Sequence, residues 1–160
     1  MIANGVYVTQ YMQLGILPYE VREPRYDEVR VKTMACGLCC WDSWLYRGVN
    51  APGPMPYIIG HEGVGIIESV GAGVTNVKVG DKVFCAAGSN EMMCEYFTVK
   101  SDCVVKLPDD TEDWASVVYE PTCCVVNVIA KSDIQPGDHV PVAAIGVRHE
   151  EHGFDLRMLV

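Results

Sequence analysis

The stretch IIGHEGVGIIESVGAGV, Ile58 to Val74, sets a histidine and a glutamate side by side between glycines and follows them with an apolar run. Two ionisable groups at the mouth of a strand are costly to bury unless something pairs with them. Successive residues of a regular strand point to opposite faces, so both side chains reach one site only through a bend. Gly60, Gly63 and Gly65 give the backbone that freedom. Behind the bend, Gly63 to Val70 reads as a strand, with Gly71 and Gly73 in the turn after it. A lone histidine here would be satisfied by backbone hydrogen bonds. With Glu62 beside it, His61 reads instead as half of a metal site, and imidazole, carboxylate and thiolate are the ligand types zinc accepts.

Strand signals continue on both sides. Glu28 to Met34 alternates Val29 and Val31 with Arg30 and Lys32, the period of a strand with one face covered. A Gly80-Asp81 turn precedes a short strand from Lys82 to Ala86, and Glu95 to Val99 and Cys103 to Leu107 read as two more, closed by Pro108. Helix is expected late. Thr111 can cap, with Glu112 and Asp113 in the first turn and Trp114 to Tyr119 beyond them, and a second helix runs from Pro121 to about Lys131. Gln135 to Asp138 then forms a turn. Many short strands between turn signals specify a mostly β chain, a small barrel with a few helices.

Composition bounds the partners. The 160 residues are 49% hydrophobic, enough for one sizeable core, and carry 12 Lys+Arg against 21 Asp+Glu for a net charge of -9. Without a basic cluster the chain has no face for nucleic acid. The N-terminus lacks a secretory signal, and no apolar run reaches the roughly 20 residues that span a bilayer, so the expectation is a cytoplasmic protein with no membrane partner. The 8 cysteines include the neighbours Cys39-Cys40 and Cys123-Cys124, which are poorly suited to bridging each other. In such a chain most thiols serve as small buried hydrophobes rather than a disulfide framework.

GHEGVGIIESVGAGVTNVKVGDKV, with ACGLCCWD upstream and KLPDD downstream, resembles the catalytic domain of the zinc-dependent medium-chain alcohol and polyol dehydrogenases, from Glu20 to Val140. The resemblance implies a GroES-like, partly open β-barrel over residues 1–140 whose cleft holds one catalytic zinc. It places the first ligand on Cys39, followed by Asp42, and the second on His61; Glu62 can ligate or approach the metal. In the branch resembling sorbitol and threonine dehydrogenases an EP dipeptide opens a helix at the remaining ligand, and Glu120-Pro121 stands there, with Cys123 or Cys124 the weaker alternatives. Cys36 is read as structural. The implied chemistry is alcohol oxidation with hydride transfer to NAD(P), on a small-molecule alcohol or polyol.

Three departures qualify that expectation. Trp41 stands where the family has a Ser or Thr to relay the alcohol proton, and an indole N–H donates but cannot accept. Either water or another group does that work, or Trp41 and Trp44 shape a pocket or simply pack. Between Val83 and Glu95 only Cys85 and Cys94 remain of a four-cysteine lobe, so a second, structural zinc is not expected. After Val140 the glycine fingerprint of a dinucleotide fold is replaced by a divergent tail, 141–160, whose glycines are Gly146 and Gly153. The NAD(P) site is therefore absent from this chain, which reads as a truncated enzyme, inactive alone. The alternative is a noncatalytic GroES-like module that binds zinc or serves assembly. A weaker idea gathers Cys36, Cys39, Cys123 and Cys124 into a thiolate cluster, and His149 to His152 lacks metal-ligand spacing. Oligomeric state is left open.

Overall fold

A computed structural model describes residues 1–49, 51–88, 91–135, 144–150 and 153–159, the last two segments as backbone. The chain begins with a hairpin, β1 (Ile2–Gln10) and β2 (Gln13–Glu20), and continues into β3 (Glu28–Gly37) and the helix α1 (Cys40–Tyr46). A short β4 (Tyr57–Ile58) leads into β5 (Glu62–Val70), β6 (Lys82–Cys85) and β7 (Tyr96–Lys100). A 3-10 turn at Ser101–Cys103 precedes β8 (Val104–Lys106), and α2 spans Glu120–Lys131. The strands form a five-stranded sheet ordered β7-β3-β5-β6-β8 and a three-stranded sheet ordered β2-β1-β4. Among the described residues β7 and β8 do not pair, so the barrel is partly open, as expected of a mostly β fold. No described helix is long and apolar enough to cross a membrane.

The larger sheet follows the alternation in the sequence. Val29 and Val31 are fully buried and pack with Ile67, Val83, Phe97 and Val104 in the main core. Each such side chain contributes about 1.5–3 kcal/mol of burial before conformational entropy is charged against it. Lys32 faces solvent as its position demands, whereas Arg30 is 7% exposed. Its guanidinium meets Glu68 at 2.5 Å and Glu23 at 3.0 Å, which makes burial of the charge tolerable. Gly80 adopts φ 90°, and the carboxylate of Asp81 behind it accepts from the Lys78 backbone at 3.0 Å and from the ammonium groups of Lys78 at 2.8 Å and Lys106 at 3.0 Å.

Three features depart from the expectation. The β1–β2 hairpin turns at Tyr11-Met12 without Gly, Asn or Asp, and Met12 sits at φ 63° because α1 holds it. The Met12 N–H donates to the Tyr46 carbonyl at 2.8 Å, and the Tyr46 hydroxyl donates to the Met12 carbonyl at 2.6 Å. Helix α1 is itself unexpected. Its face carries Leu45 into a second core with Val8, Tyr57 and Ile59.

The third is a correction: Trp114 to Tyr119 is not a helix. Thr111 donates its hydroxyl backwards to the Pro108 carbonyl at 2.8 Å instead of capping forwards. Asp113 takes the N–H groups of Ala115 and Ser116 in a local turn, the competition that such residues offer a helix. Lys82 holds the segment by donating to the Thr111 carbonyl at 2.6 Å and lying 5.7 Å above the Trp114 ring, and Tyr119 stacks edge-on against Phe84.

Residues Met1–Cys124 form one compact unit and Val125–Val160 another. The second contains the remainder of α2 and a hairpin of β9 (Ala144–Glu150) and β10 (Gly153–Leu159), paired antiparallel from Ala144↔Leu159 to Glu150↔Gly153. Of the turn expected at Gln135 to Asp138, all but Gln135 lies outside the described residues, as do the side chains of His149 to His152.

Candidate metal centre

The bend that His61 and Glu62 require is at Gly60, whose φ of 94° is open to glycine at little strain. Its N–H donates at 3.0 Å to Oδ1 of Asp42, a carboxylate only 1% exposed. The other oxygen of Asp42 accepts from the Cys39 N–H at 3.0 Å, while the Cys39 sulfur accepts from the Trp41 N–H at 3.2 Å. These two bonds form a reciprocal capping box at the start of α1, with cysteine in the place usually held by Ser or Thr. Asp42 thus ties the helix that presents Cys39 to the bend that presents His61.

Around His61 the four residues expected from the sequence come together. Nε2 lies 3.4 Å from Cys39 Sγ and 3.9 Å from Glu62 Oε1. Glu120, at the first position of α2, joins His61 and Glu62 with ligand atoms all within 4.8 Å of one another, and Cys39, Asp42 and His61 form a second such group. Ligand atoms about 2.0–2.3 Å from a tetrahedral ion stand about 3.3–3.8 Å apart, which matches the Cys39–His61 separation and comes close to that of His61 and Glu62. His61 Nδ1 is buried with no hydrogen-bond partner, 3.6 Å from Asp42 Oδ1. A ring that carries its proton on this side leaves the Nε2 lone pair free for a metal, with the Asp42 carboxylate on its Nδ1 side but beyond hydrogen-bond distance.

The electrostatics agree with a cation site. Burial raises the Glu62 carboxyl above its ordinary range; the anions of Glu120 and Asp42 add to this, and His61 and the Cys39 hydrogen bond oppose it. Burial likewise raises the Cys39 thiol, against the pull of the Trp41 and Asp42 N–H groups. Without a cation both groups retain their protons more strongly, and a divalent ion would displace them.

Other candidates lie elsewhere. Among the described residues neither three-residue ligand group includes Cys36, Cys123 or Cys124. Cys36 packs against the main core, and burial pushes its thiol up to about 12. Cys85 is buried in the same core with its thiol also at about 12. Trp41 packs against the second core with its ring 6.0 Å from that of the exposed Trp44. Asp42 is the residue whose anchoring role the sequence did not announce, because a cysteine cap hides the S/T-x-x-E/D pattern.

The alcohol dehydrogenase GroES-like domain family matches residues 25–109, just over half of the chain. S-(hydroxymethyl)glutathione dehydrogenase of Aspergillus oryzae is 50% identical over 70 residues, covering 44% of this chain and 18% of that protein. The starvation-sensing protein RspB of Escherichia coli K12 is 31% identical over 169 residues, covering 89% of this chain and 50% of that protein. The crystal structure of a short chain alcohol dehydrogenase, rspB, from Escherichia coli CFT073 complexed with NADH superposes with a TM-score of 0.70 at 28% identity, over 81% of this chain and 45% of that one. The chain spans half or less of the length of these relatives. The shared barrel, the Gly60 bend and the matched segment lead to one assignment: the chain belongs to the alcohol dehydrogenase GroES-like domain family, the catalytic-type domain of medium-chain alcohol dehydrogenases.

Proposed function

We propose that these 160 residues are the alcohol-side half of a zinc-dependent alcohol or polyol dehydrogenase, in which Cys39, His61 and one or both of Glu62 and Glu120 hold a single zinc. The observation that carries this reading is that the Cys39 thiol and the Glu62 carboxylate both lie near Nε2 of His61, that Glu120 groups with His61 and Glu62, and that the ring's Nδ1 has no hydrogen-bond partner. When bound, such an ion supplies Lewis acidity that eases the loss of an alcohol proton. The chain's own groups prepare the site. Asp42 anchors the α1 cap and the Gly60 bend, and the Trp41 N–H orients the Cys39 sulfur. With Trp41 lacking an acceptor, the alcohol proton is relayed in this reading by water or another group and not by the side chain at that position. Glu120-Pro121 resembles the sorbitol and threonine dehydrogenase branch, which favours polyols, amino alcohols or secondary alcohols as substrates.

The hydride acceptor in this reading is NAD(P), bound by a dinucleotide fold that these residues do not themselves supply. β9 returns directly into the antiparallel β10, where a phosphate-binding unit needs a strand, a glycine turn and a helix. We therefore infer that the isolated 160 residues bind neither NAD nor NADP and oxidise no alcohol; the same hairpin favours, as a second reading, a noncatalytic zinc-binding or assembly module. Elemental analysis, calorimetry with both cofactors and a reduced-nicotinamide assay over polyols and secondary alcohols test the set. About one zinc per chain, lost in Cys39→Ser and His61→Ala, with no cofactor binding, is expected. Absence of zinc, or micromolar cofactor binding, would overturn the corresponding part.

A further inference from the structure

We propose that Gly37 is a positioning residue for Glu62: its missing side chain is the slot in which the carboxylate lies when it faces the metal. This rests on the reading of Glu62 as a ligand and adds what holds it there. Gly37 is the last residue of β3 and pairs directly with Glu62, the first of β5. A Cβ at position 37 would overlap Glu62 Oε2, stand 3.1 Å from Glu62 Cβ and stand 3.0 Å from Cγ1 of Val118. The backbone of Gly37, unlike that of Gly60 at φ 94°, is outside the left-handed region, so space and not conformation requires glycine. The Glu62 side chain therefore crosses the end of β3 over the bare Cα, with Val118 closing the slot from the segment that leads into Glu120.

The form of the overlap sets the expected phenotype. The atom that collides is the far end of a flexible side chain, whereas Glu62 Cβ and Val118 Cγ1, at 3.1 and 3.0 Å, need yield only a few tenths of an ångström. Gly37→Ala is thus accommodated by rotation of the Glu62 carboxylate, which leaves the fold intact and takes the oxygen away from His61 and Cys39. A glycine needed only for packing would behave in the opposite way, lowering stability and leaving the metal alone.

The test is a zinc competition titration against a chromophoric chelator on the full chain, with Gly37→Ala, Glu62→Ala and the double variant, together with thermal melts of the metal-free proteins. Gly37→Ala should weaken zinc binding about 10- to 100-fold, the range for groups that orient a ligand, while its metal-free melt stays close to wild type. In the Glu62→Ala background the same change should add no further loss, because the two act through one carboxylate. Val118→Ala, which opens the slot from the other side, gives a second route and should weaken binding only while Glu62 is present. Wild-type affinity in Gly37→Ala, or an equal loss with and without Glu62, overturns the positioning role. Zinc binding that requires Cys39 and His61 but ignores Gly37 overturns this inference alone, whereas a chain that binds no zinc overturns the proposed function and this inference with it.

Discussion

Replacing Asp42 removes the group on which both halves of the site hang. Its two oxygens accept from Cys39 N–H and Gly60 N–H, each at 3.0 Å, and the residue is 1% exposed. Asp42→Ala leaves two buried backbone donors unpaired at about 1–3 kcal/mol each and adds a small cavity, for a loss of about 3–5 kcal/mol. Asp42→Asn keeps one acceptor but turns an amide N–H₂ toward the other donor, a loss of about 2–3 kcal/mol. For a chain of this size the alanine variant should melt about 6–20 °C lower. Urea unfolding followed by far-UV circular dichroism, in chelator so that metal loss does not contribute, gives the comparison. The exposed Asp110→Ala serves as reference, with an expected change within about 0.5 kcal/mol. An Asp42→Ala variant as stable as Asp110→Ala would show that the carboxylate does not organise the bend and the α1 cap.

Acid unfolding should report Asp81. The Lys78 ammonium and backbone N–H, with Lys106, hold its carboxyl at about 2, below the roughly 3.9 of an unfolded chain, so its contribution is present above pH 4 and is lost as pH falls toward 2. Asp81→Asn should flatten the stability curve in that window, and an unchanged acid limb would refute the assignment. Gly65→Ala places a Cβ into the Lys32 carbonyl of the neighbouring strand and 2.8 Å from Val31 Cγ1, and should lower stability by about 3 kcal/mol in the same urea assay. Gly53→Ala, with nothing within 4 Å, should be neutral, and equal behaviour of the two variants would contradict the packing of β3 on β5.

Local rules account for the part of the fold that was legible in the sequence. Period-2 alternation and glycine turns located β3, β5, β6, β7 and β8 to within a few residues, because those strands bury one face in a single core. The opening hairpin was not legible, since its turn depends on Tyr46 from α1 rather than on turn residues of its own. Helix α1 was hidden by its cysteine cap, and Trp114 to Tyr119 was misread because Lys82 and Phe84, distant in sequence, decide its conformation. At the site, the bend was readable from Gly60 and the histidine-glutamate pair. Cys39 and Glu120 were named through the family resemblance, and the structure brings both to His61. The anchoring by Asp42 was not visible, because a buried carboxylate shared between two backbone donors is a tertiary fact.

The zinc reading is tested most directly by X-ray absorption at the zinc edge on protein purified without chelators. One sulfur at about 2.3 Å with nitrogen and oxygen ligands at about 2.0–2.2 Å is expected, and the sulfur contribution should vanish in Cys39→Ser. Two or more sulfurs, or a sulfur shell that survives Cys39→Ser, would contradict a site built from Cys39, His61 and the Glu62 and Glu120 carboxylates.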